Sequence, residues 1–156
     1  MFPPQASFQI VTRWRLSGPP DRIAALLTHP EDFPRWWGDV YLACHTVAKG
    51  DARGIGRTVQ VLSKGWLPYR LTWQGKLLSA DLPHSWTIEA TGDLIGQGIW
   101  TLTPDGAGTL VTYDWQVRSD RLLFRLLFPA LRWLMISNHN WAMERGEAGL
   151  RWELLA

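Results

Sequence analysis

The sequence predicts an α+β fold in which one antiparallel sheet turns its apolar face toward a long C-terminal helix. Three observations predict it. Seven segments between residues 8 and 117 read as strands, most of them alternating apolar and polar side chains with a period of two. Turn-forming clusters such as Lys49-Gly50-Asp51, Gly92-Asp93 and Pro104-Asp105-Gly106 separate them, and such short connections require antiparallel neighbours. Residues 129–155 then repeat apolar side chains at the helical interval. A sheet with one apolar face must cover it, and this helix is the available cover.

Taken in order, Phe8, Ile10, Thr12, Trp14 and Leu16 alternate with Gln9, Arg13 and Arg15 as a first strand. Gly18-Pro19-Pro20-Asp21 turns the chain into a short helix, because proline is tolerated where helical N–H groups lack partners. Ile23, Leu26 and Leu27 form its apolar side, and Pro30 ends it. A second short helix over 31–37 brings Phe33, Trp36 and Trp37 together before Gly38. Strands follow over 40–47, 56–62 and 69–77. The last alternates Tyr69, Leu71, Trp73, Gly75 and Leu77 with Arg70, Thr72, Gln74 and Lys76. Strands around Trp86, Trp100 and Tyr113 complete the series, the last two joined by the hairpin at 104–108.

The final helix carries Leu131, Met135, Asn138, His139, Ala142, Gly146, Gly149 and Leu150 on one face. Asn140, Glu144, Glu147 and Arg151 lie on the other. Each mid-helix glycine costs roughly 0.5–1 kcal/mol relative to alanine, so the small stripe needs a reason. Either the helix approaches a packed sheet closely, or it leaves room for a bound molecule.

Length and composition narrow the function. The 156 residues suit one domain with a substantial core, and an apolar share of 46% excludes a disordered chain. A net charge of +2 gives no nucleic-acid footprint. The single cysteine, Cys44, excludes an intramolecular disulfide and a cysteine zinc site, and it fits a cytoplasmic location. Residues 1–7 lack the pattern of a signal peptide. The apolar run 122–136 is broken by Arg125, Pro129 and Arg132 and is shorter than the ~20 residues a membrane span needs. Eleven tryptophans, each able to bury roughly 150–250 Å², are hard to hide in one small domain. Some should line a cavity or reach the surface. No metalloprotease, nucleophile-elbow or phosphate-loop motif is present, and neither metal nor cofactor is expected.

One strand, two short helices, an antiparallel run and a long last helix is an order that resembles the START-like superfamily. That superfamily includes the polyketide cyclase/dehydrase group and the relatives of the birch-pollen allergen. Thr28-His29-Pro30-Glu31-Asp32-Phe33-Pro34-Arg35-Trp36-Trp37 is similar to the family's stretch after the first helix. Residues 96–104 with 108–113 resemble its late hairpin, and 138–150 its final helix. The resemblance spans nearly the whole chain. It implies a helix-grip fold: a curved sheet around the helix with a deep apolar cavity between them, residues 1–156 forming one ligand-binding domain. Relatives of this kind bind lipids, sterols, polyketides, quinones or plant hormones, and some catalyse cyclisation or dehydration. The superfamily has no universal catalytic residue, and none is carried over.

Ligand sites are apolar concavities with a few placed polar groups. Strand parity and helix face then nominate Trp14, Tyr69, Trp73, Trp86, Trp100, Tyr113, Trp115, Met135, Asn138, His139 and Ala142, each of which is either core or cavity wall. His139 is the one candidate acid–base; its plainer role is a histidine bonded to Asn138 or to a backbone carbonyl. His29, His45 and His84 fall at element ends as surface residues. Arg118, Arg121, Arg125 and Arg132 flank the run 122–136, either as a solvated face or as a surface for transient contact with anionic lipid. In the second case Trp36, Trp37, Trp66 and the apolar residues of 122–128 would form the cavity rim. The expected partner is a small hydrophobic ligand. Its capture is the whole function in a carrier, or the first step in a cyclase, dehydratase or lipid shuttle.

Overall fold

The computed structural model describes residues 7–118 and 122–155, with side chains described for 8–118 and 132–155. Strand β1 (Ser7–Ser17) leads into helix α1 (Pro20–Leu27), a 3-10 turn (Pro30–Asp32) and helix α2 (Phe33–Trp36). Strands β2 (Tyr41–Ala48), β3 (Thr58–Lys64), β4 (Arg70–Asp81), β5 (Ser85–Gly92), β6 (Ile95–Asp105) and β7 (Gly108–Arg118) follow, and helix α3 (Leu122–Leu155) ends the fold. The seven strands form one antiparallel sheet in the order β1-β7-β6-β5-β4-β3-β2. Because β1 and β2 are the two edges, α1 and α2 carry the chain from one side of the sheet to the other. This is the helix-grip arrangement, with α3 across the concave face.

The register aligns the inward side chains into rows. Trp86 pairs with Trp100, and Trp100 pairs with Tyr113. Their rings stack, at 6.0 Å for Trp86–Trp100 and 4.0 Å for Trp100–Tyr113. In the next row Ile88 pairs with Gly98 and Gly98 with Trp115. Gly98 gives the rings somewhere to lie. A Cβ there would stand 2.6 Å from the Tyr113 hydroxyl and 2.9 Å from the Trp115 indole.

The structure corrects two expectations. The last helix begins at Leu122 rather than near Pro129, so the apolar run belongs to the helix itself. The small stripe on α3 meets α2 rather than the sheet. A Cβ on Gly146 would collide with the Trp37 indole, and one on Gly149 with the Trp36 carbonyl oxygen. Trp36 and Trp37, rim candidates only if the arginine-flanked face meets lipid, are accordingly only 8% and 2% exposed. Trp37 also donates its indole N–H to the Ala142 carbonyl of α3 at 2.9 Å. Trp66 is exposed, and the side chains of 122–128 lie outside the described residues. On the far face of α3, Arg151 donates to Glu147 at 3.0 Å, the four-residue pair read from the sequence.

Candidate functional site

Two adjoining cavities lie between the sheet, the short helices and α3. The first, of about 110 Å³, sits under the middle of α3. The second, of about 100 Å³, sits between β3–β6 and the segment from Leu27 to Phe33. Tyr41, Trp73 and Tyr113 line both and form the partition between them.

The nominated residues divide between these lobes. Tyr69, Trp115, Met135, Asn138, His139 and Ala142 line the first. Trp86 and Trp100 line the second, and Trp73 and Tyr113 border both. Trp14 lines neither; it is 3% exposed and packs behind Trp100, with ring centroids 5.7 Å apart. Several lining residues were not nominated as cavity wall, Trp37 having been named only as a possible rim residue. Tyr41 and Trp37 enter from the α2–β2 corner, Met143 from α3, and Arg57 from the start of β3. A run of aromatic residues at 33–41 was the available signal for the first two. Arg57 carried none, since it precedes the alternation of β3.

The polar groups of the first lobe have distinct duties. Asn138 accepts the Leu67 N–H at 3.0 Å and donates to the Tyr69 hydroxyl at 3.4 Å, and Tyr69 reaches Met135 Sδ at 3.7 Å. Asn138 also occupies the space a Cβ on Gly65 would need. It therefore fastens the β3–β4 loop down over the lobe. Trp73 donates its indole N–H to Ser63 Oγ at 3.0 Å, which satisfies a buried donor inside the partition.

Among the described residues His139 makes no bond to Asn138 or to a backbone carbonyl. Its Nε2 is buried with no partner among the described residues. Burial lowers its pKa to about 4, because desolvation disfavours the charged ring. The imidazole is thus neutral at pH 7, and one of its nitrogens keeps an unused lone pair. Tyr41 and Tyr113 are pushed in the other direction, burial raising each phenol well above its ordinary value. His29, His45 and His84 are all exposed.

The mouth of the second lobe is clasped by charge. Arg57 donates to Glu31, and to the Thr28 carbonyl at 3.4 Å, while Thr46 donates to the same Glu31 carboxylate at 2.7 Å. These bonds tie the 3-10 turn to β2 and β3. No group of three or more His, Cys, Asp or Glu side chains that could hold a metal ion occurs among the described residues. Among the same residues no helix is long and apolar enough to cross a membrane.

Comparison with known proteins adds relatives to this geometry. The family model for polyketide cyclase/dehydrase and lipid transport matches residues 7–151. No match is found among curated proteins. Among solved structures, TTHA0849 from Thermus thermophilus is 17% identical with a TM-score of 0.70, over 91% of this chain and 96% of that one. The Zhui aromatase/cyclase from Streptomyces sp. R1128 is 12% identical with a TM-score of 0.72, over 94% and 93%. Major latex-like protein 151 from Panax ginseng is 12% identical with a TM-score of 0.63, over 92% and 97%. At such identities these structures speak for the fold alone. The family match takes in every strand and most of α3, and the chain belongs to the polyketide cyclase/dehydrase and lipid transport family.

Proposed function

We propose that this chain, acting as a single domain, binds a small hydrophobic molecule in the space between the sheet and α3. The observation that carries this reading is the pair of cavities on either side of Tyr41, Trp73 and Tyr113, walled mostly by aromatic and aliphatic side chains. Apolar surface that leaves water there contributes about 25 cal/mol per Å². The near-parallel rings of Trp86, Trp100 and Tyr113 favour a flat ligand. Each lobe is smaller than the roughly 300–1,000 Å³ of drug-sized sites, and smaller than the ~150 Å³ apolar cavity that holds benzene. One lobe therefore suits a single ring after slight adjustment. A lipid, polyketide or quinone would occupy both lobes once the partition rings move apart.

Native mass spectrometry of freshly purified protein tests the proposal. A co-purified hydrophobic mass that is lost in Trp73→Ala supports it. Absence of any adduct, together with no response of the tryptophan fluorescence to lipid-like or aromatic probes, overturns it.

A second reading makes the same cavity the site of a cyclase or dehydratase with His139 as the acid–base group. The unpartnered Nε2 at the lobe wall favours it. If His139→Ala keeps ligand affinity and abolishes turnover of a candidate polyketide, the enzyme reading prevails. A third reading is a membrane-associated lipid shuttle. Trp66 and Trp133 are 46% and 69% exposed and share a surface groove beside the first lobe, near the exposed Lys64. Flotation with anionic liposomes that Trp66→Ala and Arg132→Gln abolish favours the shuttle, and no flotation at low salt removes it. The single buried Cys44 supports a cytoplasmic setting for any of these roles.

A further inference from the structure

Tryptophan carries a large apolar surface that is usually well buried, so several exposed indoles in one place need a reason. Trp66 and Trp133 are 46% and 69% exposed, and Trp141 is half-buried beside them. All three line one surface groove between α3 and the β3–β4 loop, outside both lobes. No ring contact joins any two of them, so the groove is not closed by its own walls.

The groove carries one charge. Glu144 lines it, is exposed, and has neither an ion pair nor a hydrogen bond among the described residues. No Lys, Arg or His lines it. Lys64 and Arg70 line a second groove, and Trp66 and Trp141 stand between the two. Arg145 pairs with Asp39 at 3.6 Å and covers one face of Trp141 at 5.1 Å, so it does not neutralise Glu144.

The two ends of the groove differ. Along α3 it runs from Trp133 to Glu144, about 16 Å at the helical rise per residue. Trp133 and Ile136 make one end apolar, while Trp141 and Glu144 make the other aromatic and acidic. Trp66 stands midway, because its neighbour Leu67 is bonded to Asn138 of α3.

We propose that this groove binds a quaternary ammonium compound with an aliphatic arm. The ammonium lies among Trp66, Trp141 and Glu144, and the arm runs over Ile136 to Trp133. A quaternary nitrogen suits this place because it has no N–H to satisfy and spreads its charge over methyl groups that indoles can cover. The site lies apart from the cavity, so it stands or falls independently of the ligand-binding reading.

NMR titration of the tryptophan indole N–H signals at low salt tests the proposal. The probes are choline, the neutral alcohol in which carbon replaces the choline nitrogen, and hexyltrimethylammonium. Choline should bind roughly tenfold tighter than the neutral alcohol and should shift the Trp66 and Trp141 signals. Trp66→Ala and Glu144→Gln should each weaken choline roughly twofold to fivefold. Hexyltrimethylammonium should bind roughly threefold to tenfold tighter than choline, an advantage that Trp133→Ala removes. Trp152→Ala, at an indole 75% exposed but outside the groove, should change nothing. Equal affinity for choline and the neutral alcohol overturns the proposal. Shifts confined to Trp73 and Trp115 also overturn it, since they place the probe in the first lobe. Attachment to phosphatidylcholine vesicles with no response to free choline overturns it as well, and gives the indoles to a membrane surface.

Discussion

Gly149→Ala sets two physical effects against each other in α3, and the structure decides which wins. Helix propensity alone favours alanine by about 1 kcal/mol. Packing opposes it. The new Cβ would overlap the Trp36 carbonyl oxygen and stand 3.1 Å from its carbonyl carbon and 3.2 Å from the indole Cε3. That oxygen is backbone and cannot step aside by changing a rotamer. Trp36 is moreover held by ring contacts to Phe33 at 5.2 Å and Trp37 at 5.5 Å. Overpacking of such a site costs about 1–3 kcal/mol, and rigid backbone puts it at the upper end. The net expectation is a loss of about 2 kcal/mol. For a chain of this size that lowers the thermal midpoint by roughly 4–8 °C. Calorimetry or circular dichroism against the unmodified protein measures it, and urea titration supplies the free energy. A rise of the midpoint by a few degrees would refute the reasoning. It would mean that the small stripe faces open space and that propensity decides.

Three further outcomes follow from the same contacts. The pKa of His139 is lowered from 6.5 to about 4 by burial, so the unfolded chain takes up this proton first as pH falls. The corresponding stability is complete above pH 6.5 and declines between pH 6.5 and 4, by at most about 3 kcal/mol; urea titrations at pH 7 and pH 5 should show a shallower pH slope in His139→Leu. Asn138→Ala deprives the Leu67 N–H of its acceptor, at a cost of about 1–2 kcal/mol. Hydrogen exchange at the Leu67 amide should accelerate, and an unchanged rate would mean the loop is held by something else. Gly98→Ala places a methyl 2.6 Å from the Tyr113 hydroxyl and 2.8 Å from its Cε1. Displacing that ring should cost about 1–3 kcal/mol, measured by urea titration.

The sheet was readable from sequence because its period is short and repeated. Trp86, Trp100 and Tyr113 each sit in an alternating run, so their common face follows from parity, and antiparallel pairing brings them into one row. The face of α3 that carries Asn138 and His139 was readable for the same reason, at the helical period. What these side chains meet was not. Asn138 bonds a loop N–H 71 residues away, and no local pattern encodes such a partner. The burial of Trp36 and Trp37 was not readable, because a four-residue helix shows too little periodicity to say which side is buried. Their burial is fixed by Gly146 and Gly149, more than a hundred residues later in the chain. Cavity size was also hidden. It depends on how the rings of Tyr41, Trp73 and Tyr113 lie in the interior, and residue type alone leaves their side-chain torsions open.

The proposed ligand capture depends on apolar space within reach between the sheet and α3. Crystallography under xenon pressure probes that space directly, since xenon enters apolar cavities large enough for it. The prediction is xenon density in both lobes, one site bounded by Trp115 and Met135 and the other by Trp86 and Ile88, with Tyr41, Trp73 and Tyr113 between them. Side-chain density filling both lobes, with no xenon in either, would contradict it.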